Sequence, residues 1–487
     1  MSLLPHALYT AAQVRELDRR AIATGIGGYA LMTRAGQAAF HLLRERWPEA
    51  ARIVVLAGPG NNGGDGYVLA RLAWAQHLDV KVLTVGDNEP LTGEAAEAAS
   101  DATRARVPEK SWKGELPEAD VYVDALFGTG LNKPPAGDFA AAIAALNKSG
   151  KPVLALDLPS GLQADTGTEL GEAVRANATI TFIGLKAGLL TAAGPARTGE
   201  LFFSDLAVPA STYEGVTPLA RRLAAPDLEK IGRRARDAHK GTSGHVLVVG
   251  GDHGMAGAVA LAAEAALRSG AGLVSVATRP EHTALLTARR PELMCRGIHH
   301  AAELTPLLAK ADVVVLGPGL GQDEWGAALF GAVLDAGRPM VVDADALNLL
   351  ATMPERRDAW LLTPHPGEAA RLLGISTAAV QADRFAAVRE LEKRYGGHVV
   401  LKGAGSVLME DGALALCPYG NPGMATGGMG DVLAGVAGAM LAQQVSEPLA
   451  MAVLAHALAG DTAARAGGER GLLASDLLPF LRQRVNP

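Results

Sequence analysis

Asn421-Pro-Gly-Met-Ala-Thr-Gly-Gly-Met-Gly-Asp431 is the stretch that most strongly predicts the fold and the chemistry of this chain. Its four glycines allow positive φ and a close approach of the backbone to a ligand, and a helix is predicted to begin near Asp431. The unpaired N–H groups at such a helix end favour an anion. Asp431 then stands where a carboxylate can take a proton from a hydroxyl group beside a bound phosphate. The stretch therefore predicts a phosphate site with a general base.

The length and composition indicate a globular protein of two domains. A chain of 487 residues exceeds what one hydrophobic core usually serves. Its 49% hydrophobic and 20% charged residues exclude a largely disordered chain. The aperiodic, proline-containing segment 210–226 separates the halves, and we predict domains over residues 1–215 and 216–487. The net charge of −6 and the lack of a Lys/Arg-rich block argue against a nucleic-acid partner.

Neither secretion nor membrane insertion is predicted. The N-terminus lacks a basic segment followed by an apolar one, and no run of 18 apolar residues occurs. Cys295 and Cys417 lie far apart with no CxxC spacing, which disfavours a zinc site or a disulfide framework. We expect a cytoplasmic protein with reduced thiols.

A strand, a glycine-rich loop and a helix follow one another in the N-terminal half. The apolar run Arg52–Ala57 predicts a buried parallel strand, Gly58-Pro-Gly-Asn-Asn-Gly-Gly-Asp-Gly66 the loop, and Tyr67–Gln76 the helix. This order places a phosphate or a nucleotide at the carboxyl edge of a sheet. Repeated strand–helix units predict a doubly wound α/β fold, in which the loops after successive strands share that edge.

The same loop leaves an oxidoreductase open as an alternative. Gly58, Gly60 and Gly63 fit the dinucleotide fingerprint, and Asp87 follows the second strand at a suitable distance. Against this, the side-chain oxygens of Asn61–Asp65 are poor neighbours for a pyrophosphate. They suit a hydroxylated ligand or a hard monovalent cation better.

Polar side chains follow three strands of the predicted sheet. Asn62, Asp124 and Ser160 can supply oxygen ligands to one cation, and Asp157 can serve in proton transfer. An Asp at a strand end is individually more often a helix cap or turn former. The coincidence at three strand ends favours a site.

Four motifs together resemble the NAD(P)H-hydrate epimerase domain: 31–36 (LMTRAG), 58–66 (GPGNNGGDG), 124–130 (DALFGTG) and 157–161 (DLPSG). The resemblance implies a Rossmann-like three-layer α/β/α fold and interconversion of the R and S forms of hydrated NADH and NADPH. It implies that Asp157 is the acid/base and that Asn62, Asp124 and Ser160 hold potassium. The residues implied to bind the hydrate are Asn61, Asn62, Gly63, Gly64, Asp65, Gly128, Thr129, Gly130, Leu131, Asn132, Lys133, Pro134 and Asp157.

In the C-terminal half, strands again end in chemically distinctive loops. After a short basic helix predicted over Asp227–Asp237, successive strands lead to Gly317–Gly321, to the carboxylates Asp343 and Asp345, and to His365 between two prolines. The two carboxylates can hold Mg²⁺ through water, although caps and turns explain them equally well.

Lys402 lies beside two glycines at the end of the predicted strand that begins at Val399. A lysine in a glycine loop offers a positive charge and N–H groups to a nucleotide phosphate.

The C-terminal features described above, from the Gly317–Gly321 loop to the Lys402 loop and the stretch 421–431, together resemble the NAD(P)H-hydrate dehydratase domain. That domain is a member of the ribokinase-like fold, and the resemblance extends over about Arg221 to the C-terminus. The resemblance implies that Lys402, Gly403, Ala404, Gly405, Ser406 and Gly430 bind the adenine nucleotide. It implies that Ala258, Gly319, His365 and Asp431 contact the hydrate. It further implies ADP as co-substrate, giving AMP and phosphate, with Mg²⁺, and we expect a homo-oligomer.

The two resemblances cover the whole chain and imply one enzyme that repairs hydrated nicotinamide cofactors. Asp431 would take the proton of the added hydroxyl group, whose oxygen would attack the terminal phosphate of ADP. Three alternatives stay open. A ribokinase-like small-molecule kinase fused to a nucleotide-binding domain would leave a stable phosphorylated product, an oxidoreductase would leave the second domain idle, and a regulatory module would bind without turnover.

Overall fold

The computed structural model describes residues 4–86 and 91–486. The chain divides into two compact units, Met1–Arg221 and Arg222–Pro487. Within the described residues, no helix combines the length and apolar character that a membrane crossing demands. Asp87, which the oxidoreductase alternative uses, lies outside the described residues.

The first unit alternates strands with helices. Its strands are β1 (Ala7–Tyr9), β2 (Arg52–Ala57), β3 (Asp79–Thr84), β4 (Glu109–Ser111), β5 (Val121–Ala125), β6 (Val153–Leu156), β7 (Ala178–Phe182), β8 (Leu185–Lys186), β9 (Glu200–Ser204) and β10 (Ala220–Arg222). Its helices are α1 (Ala11–Ala23), α2 (Gly28–Arg46), α3 (Asn61–Ala75), α4 (Gly93–Arg104), α5 (Asp138–Lys148) and α6 (Gly194–Thr198).

A seven-stranded parallel sheet, in the order β4-β3-β2-β5-β6-β7-β9, forms the middle layer of this unit. Alternate residues of β2 point to opposite faces, as strand geometry requires. Ile53 and Val55 join a core with residues of α1 to α4, whereas Val54 and Leu56 join a core with residues of α5. The predicted three-layer α/β/α fold is confirmed.

Helix α3 begins six residues earlier than the sequence predicts. The segment Asn61–Gly66, predicted as loop, forms its first turns, and only Gly58–Gly60 connects it to β2. Close packing explains these glycines. A Cβ on Gly63 would lie 2.1 Å from the carbonyl oxygen of Gly58, and one on Gly66 would lie 2.7 Å from the Ala125 side chain. The glycines allow the helix to begin tight against the sheet edge, with its N-terminal N–H groups at the site.

The second unit repeats the alternation around another sheet. Its strands are β11 (His245–Val249), β12 (Leu273–Thr278), β13 (Met294–Gly297), β14 (Val313–Leu316), β15 (Met340–Val342), β16 (Trp360–Leu362), β17 (His398–Leu401), β18 (Ser406–Glu410) and β19 (Ala413–Cys417). Its helices are α7 (Ala256–Arg268), α8 (Thr283–Arg289), α9 (Thr305–Leu308), α10 (Glu324–Asp335), α11 (Asp345–Thr352), α12 (Pro366–Leu373), α13 (Thr377–Ala382), α14 (Arg384–Tyr395), α15 (Met429–Ala442), α16 (Pro448–Gly467) and α17 (Leu477–Arg484).

Its strands are ordered β13-β12-β11-β14-β15-β16-β17-β18-β19, parallel from β13 to β17 and antiparallel from β17 to β19. The apolar residues Val246–Val249 of β11 are buried on both faces, as is typical of a parallel strand between helix layers. The basic helix predicted over Asp227–Asp237 is wrong: a 3₁₀ turn covers Ala225–Ile231 and ends at Gly232, where φ is +72°.

Helices α7 and α15 pack together at very short range. A Cβ on Gly435 of α15 would lie 2.0 Å from the carbonyl oxygen of Ala262 of α7, and one on Gly438 would lie 2.4 Å from the Val315 side chain. Because only glycine fits, the apolar small-residue face of α15 fixes that helix against both α7 and the sheet.

Candidate active sites

A cavity of about 830 Å³ opens at the carboxyl edge of the first sheet. It brings together most of the hydrate-binding residues predicted for this unit; those that line it are Asn61, Asn62, Asp65, Gly128, Thr129, Gly130, Leu131, Asn132, Lys133, Pro134 and Asp157. Gly63 and Gly64 do not line it, since their places in α3 face the neighbouring backbone and Met32. Asp124 and Ser160 lie behind the lining and are buried.

Asp157 follows β6 in a left-handed conformation, with φ of +65°. A non-glycine residue in this region costs free energy and persists where the surroundings hold it. Asp is one of the residue types that tolerate the region best. Asp157 Oδ2 faces Gly128, where a Cβ would lie 3.2 Å away. The strained turn thus directs the carboxylate towards the loop that begins at Gly128.

Lys186 is the partner of Asp157 and was not predicted from the sequence. Its side chain is 1% exposed and forms an ion pair with Asp157 Oδ1. Its Nζ also donates to Thr181 Oγ1 and to the carbonyl oxygen of Phe182, each at 3.0 Å. A signal was present: Lys186 is the lone charge in the apolar run 178–190, and a buried lysine needs a partner.

Three further carboxyl groups, Asp18, Asp65 and Glu94, line the same cavity. Burial raises the pKa of Asp65 well above its usual range, and the charge of Asp157 adds to the effect. Burial likewise raises the pKa of Asp18 to about 6. Asp18 lies on the same face of α1 as Val14 and Ile22, since the three residues are spaced four positions apart. A carboxylate on this otherwise apolar face was the sequence signal that could have identified Asp18.

Two of the residues predicted to hold potassium, Asp124 and Ser160, are hydrogen-bonded to each other. Ser160 donates to Asp124 from its hydroxyl at 2.6 Å and from its backbone N–H at 2.8 Å, and Ser160 Oγ accepts from the N–H of Phe127 at 2.9 Å. The amide of Asn62, the third, is buried, and neither its Oδ1 nor its Nδ2 has a hydrogen-bond partner among the described residues. Burial raises the pKa of Asp124 to about 6. An orphaned amide oxygen and a desolvated carboxyl group are ligands that suit an oxygen-liganded cation.

In the second unit, the predicted phosphate loop lies against a buried ion pair. Lys402 Nζ is 2.8 Å from Asp343 Oδ1. A Cβ on Gly430 would lie 3.2 Å from that Nζ and 3.6 Å from Asp343 Oδ2, so the backbone of Gly430 passes directly over the pair. Of the four glycines that allow positive φ, Gly428 adopts it, at +88°, as the N-cap of α15, whereas Gly423, Gly427 and Gly430 do not.

Asp431 lies in the first turn of α15, beside Gly430. Burial raises the pKa of Asp431 to about 7; Asp343 raises it further, and Lys402 opposes the shift. A carboxylate with its pKa near neutrality is suited to act as a general base. The structure therefore brings Asp431, Lys402 and the helix N-terminus together.

His365 and Glu368 adjoin this group at the start of α12. His365 Nδ1 accepts from the N–H groups of Gly367 and Glu368 at 3.0 and 3.3 Å, so the histidine caps the helix. Glu368 was not predicted as a site residue. It lies 3.9 Å from Lys402 Nζ and 3.3 Å from His365 Nε2, and burial raises its pKa to about 7. The spacing of a capping box, a cap residue followed three positions later by Glu, was its sequence signal.

Ala258 and Gly319 meet at the same edge, since a Cβ on Gly319 would lie 3.2 Å from that of Ala258. Asp345 accepts from the N–H of Gly321 at 2.9 Å, which ties the glycine loop to the start of α11. Asp343 accepts from Lys402 and, at 2.7 Å, from Thr363. The described residues contain no group of three or more His, Cys, Asp or Glu side chains arranged for a metal ion.

The loop Lys402–Ser406 is held by a buried arginine. Arg384 donates to the carbonyl oxygens of Leu401 and Lys402 at 3.0 and 3.3 Å. Gly403, at φ of +139°, allows the loop to pass close to that guanidinium group. The loop thus has a fixed shape before any nucleotide arrives.

A larger cavity of about 1050 Å³ in the second unit contains none of the predicted site residues. Arg268 and Arg482 line it from the last turns of α7 and α17. Cations at these two positions offset the negative ends of the helix dipoles.

Two family models match the chain. The model of the YjeF-related protein N-terminus matches residues 28–188, and that of NAD(P)H-hydrate dehydratase matches residues 246–482. Together they include most residues that line the cavity of the first unit, and the carboxylates Asp343, Glu368 and Asp431 of the second.

The chain also matches curated relatives over nearly its whole length. The chain is 51% identical over 485 residues to the bifunctional NAD(P)H-hydrate repair enzyme of Coxiella burnetii, covering 99% of both chains. It is 45% identical over 492 residues to the enzyme of the same name from Escherichia coli K12, covering 99% of this chain and 95% of the relative.

Solved structures resemble the second unit. A ribokinase-like superfamily protein from Enterococcus faecalis V583 is 32% identical with a TM-score of 0.52, over 55% of this chain and 95% of that one. A protein from Streptococcus mutans is 29% identical with a TM-score of 0.50, over 54% of this chain and 99% of that one. The predicted ribokinase-like fold is confirmed.

Proposed function

The chain belongs to the family of bifunctional NAD(P)H-hydrate repair enzymes, and from this membership we propose a role for each group at its two sites. The protein is an NAD(P)H-hydrate epimerase joined to an NAD(P)H-hydrate dehydratase. We assign epimerisation of the R and S forms to the cavity of the first unit. We assign dehydration of the S form to the Asp431 site of the second.

In the first unit, Asp157 is the proton-transfer residue and Lys186 positions it. The proposal is supported by the strained φ of Asp157 and by its ion pair with a buried lysine beside the cavity. Potassium would be held by Asn62, Asp124 and Ser160, for which the orphaned amide of Asn62 is the supporting observation. When bound, the ion supplies positive charge that anchors polar groups of the hydrate.

In the second unit, Asp431 takes the proton from the C6 hydroxyl group of the hydrate. The hydroxyl oxygen then attacks the terminal phosphate of ADP, and AMP leaves. N–H groups at the start of α15 and the charge of Lys402 stabilise the transferring phosphoryl group. The ring nitrogen expels phosphate, loss of a C5 proton restores the reduced ring, and the sum is hydrate plus ADP giving NAD(P)H, AMP and phosphate.

The nucleotide, ADP, is proposed to lie on Lys402–Ser406 and Gly430. The hydrate would contact Ala258, Gly319, His365 and Asp431. Mg²⁺ fits the protein residues less well, because Asp343 is committed to Lys402 and Thr363. The metal commonly binds through nucleotide phosphates with only one or two carboxylates.

The observation that carries the dehydratase assignment is the contact of Gly430 with the Lys402–Asp343 pair, beside a carboxyl group with a pKa of about 7. Its test is to incubate the protein with hydrated NADH and ADP. Recovery of reduced-nicotinamide absorbance, with AMP and phosphate formed in equal amounts, is expected. A stable phosphorylated hydrate would instead identify a kinase, and binding without turnover would identify a regulatory module.

We further propose a cytoplasmic location, supported by the two free cysteines, Cys295 and Cys417. Homo-oligomerisation stays a prediction, which sedimentation equilibrium would test.

A further inference from the structure

We propose that Asp18 is a second proton-transfer residue of the epimerase, acting on the ring nitrogen of the hydrate while Asp157 acts on its C6 hydroxyl group. The proposal rests on the assignment of epimerisation to the cavity of the first unit. It adds a catalytic group from α1, outside every motif by which this domain resembles its family.

Asp18 faces the cavity. Val14, Asp18 and Ile22 recur at intervals of four residues, so they share one face of α1, and all three line the cavity with Asp157 and Lys186. Among residues 4–86 and 91–486, no side chain or backbone group forms a hydrogen bond or ion pair with the Asp18 carboxyl group. It is therefore a half-buried acid available to a ligand.

The charged groups that act on Asp18 are Lys186, Asp157 and Arg15. The other charged side chains that line the cavity are Asp65, Glu94 and Lys133. Lys186 Nζ donates its hydrogen bonds to Asp157, Thr181 and the carbonyl oxygen of Phe182, so it has none for Asp18.

These surroundings set the ionisation of Asp18. Burial raises its pKa to about 6; Lys186 opposes the shift, Asp157 adds to it, and Arg15 opposes it. Burial also raises the pKa of Asp65 well above its usual range. Epimerisation needs a group that gives and regains a proton in every turnover, and a pKa close to the working pH suits Asp18 to that task.

The chemistry requires two groups. C6 of the hydrate carries both a hydroxyl group and the ring nitrogen, as in any hemiaminal. Asp157 removes the hydroxyl proton as the C6–N1 bond breaks; the C6 oxygen becomes a carbonyl, and the electron pair of the broken bond goes to N1. Asp18 donates a proton to N1. After rotation about the C5–C6 bond, N1 attacks the other face of the carbonyl group, Asp18 regains its proton and Asp157 returns the other. No atom or electron is gained or lost.

The test compares Asp18→Asn, Asp18→Glu and Asp157→Asn in the full-length protein. The purified R form is supplied with ADP, and excess intact dehydratase reports each S molecule formed. Asp18→Asn should lower kcat of epimerisation by about 10²- to 10⁴-fold with KM changed by less than about threefold. Asp18→Glu should recover part of kcat. Glu16→Gln, on an exposed part of α1, is the matched control and should leave the rate unchanged.

A pH profile separates proton transfer from a structural role. The wild-type rate should fall as pH rises above about 6, because the reaction begins with Asp18 protonated. That decrease should vanish in Asp18→Asn. An active Asp18→Asn with an inactive Asp157→Asn would overturn the proposal but leave the epimerase site in place, whereas activity of both variants would overturn the site itself. A slow Asp18→Asn that keeps the wild-type pH profile would also overturn the proposal.

Discussion

Lys402 and Asp343 form an ion pair, with 2.8 Å between Nζ and Oδ1, directly against the backbone of Gly430. The pair joins the ends of β15 and β17, between which β16 lies in the sheet. Because Asp431 follows Gly430, its carboxyl group experiences both charges at once. The position of one glycine therefore links the proposed phosphate loop to the proposed base.

Asp431→Asn should lower kcat of dehydration by about 10²- to 10⁴-fold, because the amide keeps the shape of the side chain but cannot accept the proton. ADP affinity, measured by calorimetry, should stay within about threefold of wild type. Asp358→Asn, at a side chain that is 85% exposed, is the control. Dehydration at the wild-type rate would refute the role of Asp431.

The pH dependence of dehydration should follow the ionisation of Asp431. The base acts when ionised, so kcat/KM should rise with pH through about 7 and then level off. Lys402→Gln should move the midpoint to higher pH, because Lys402 opposes the upward shift of the Asp431 pKa. Lys393→Gln, at a largely exposed lysine, should not move it. A midpoint that moves downward in Lys402→Gln would contradict this electrostatic account.

Asp157→Asn should abolish epimerisation and leave dehydration intact. Asn is chosen because it tolerates the left-handed φ of +65° that Asp157 adopts. With a mixture of both forms and ADP, the S form should be consumed at the wild-type rate and the R form only as fast as it epimerises spontaneously. Chromatographic separation of the two forms measures this. Equal consumption of both would remove Asp157 from the mechanism.

Lys186→Met should inactivate the epimerase and destabilise the first unit. Removing one partner of a buried ion pair commonly costs about 3–5 kcal/mol, because the other charge is left buried and uncompensated. Denaturant unfolding of the full chain measures the loss, and the dehydratase rate shows whether the second unit stays folded. Lys151→Met, at an exposed position, is the control. A variant with wild-type stability and epimerase activity would show that Asp157 does not need Lys186.

Potassium should stabilise the wild-type protein relative to lithium or choline at equal ionic strength. At about 100 times the dissociation constant the gain is about 2.7 kcal/mol, seen as a rise in Tm. Asn62→Leu should lose the potassium-specific part, because it removes the orphaned amide while keeping the number and branching of the heavy atoms in the side chain. An undiminished potassium effect in that variant would place the ion elsewhere.

The strands were predictable because their signal is local. A continuous apolar run predicts the strand Arg52–Ala57 with the bounds that the structure has. The start of helix α3 was predicted too late in the chain, because glycine usually indicates a loop. At Gly63 it instead permits contact with Gly58, a reason that only tertiary packing reveals.

Site residues that directly follow strands were predictable. Their partners were less predictable where they lie far away in the sequence. Asp157 and Asp431 stand in distinctive motifs. Lys186 and Asp18 were missed because each is a single charge within an apolar pattern, and their roles depend on neighbours distant in sequence. Asp343 was interpreted as a metal or cap residue because its pairing with Lys402 spans 59 positions.

Gly435 lies one helical turn beyond Asp431 and touches no proposed ligand, yet it fits only because it has no side chain. An alanine there would bring its methyl carbon 2.0 Å from the Ala262 carbonyl oxygen, and the two helices would have to part. A displacement of about 1 Å at reacting groups can cost about 10²-fold in rate. One added methyl group at Gly435 can therefore lower the repair activity although every residue of its chemistry is retained.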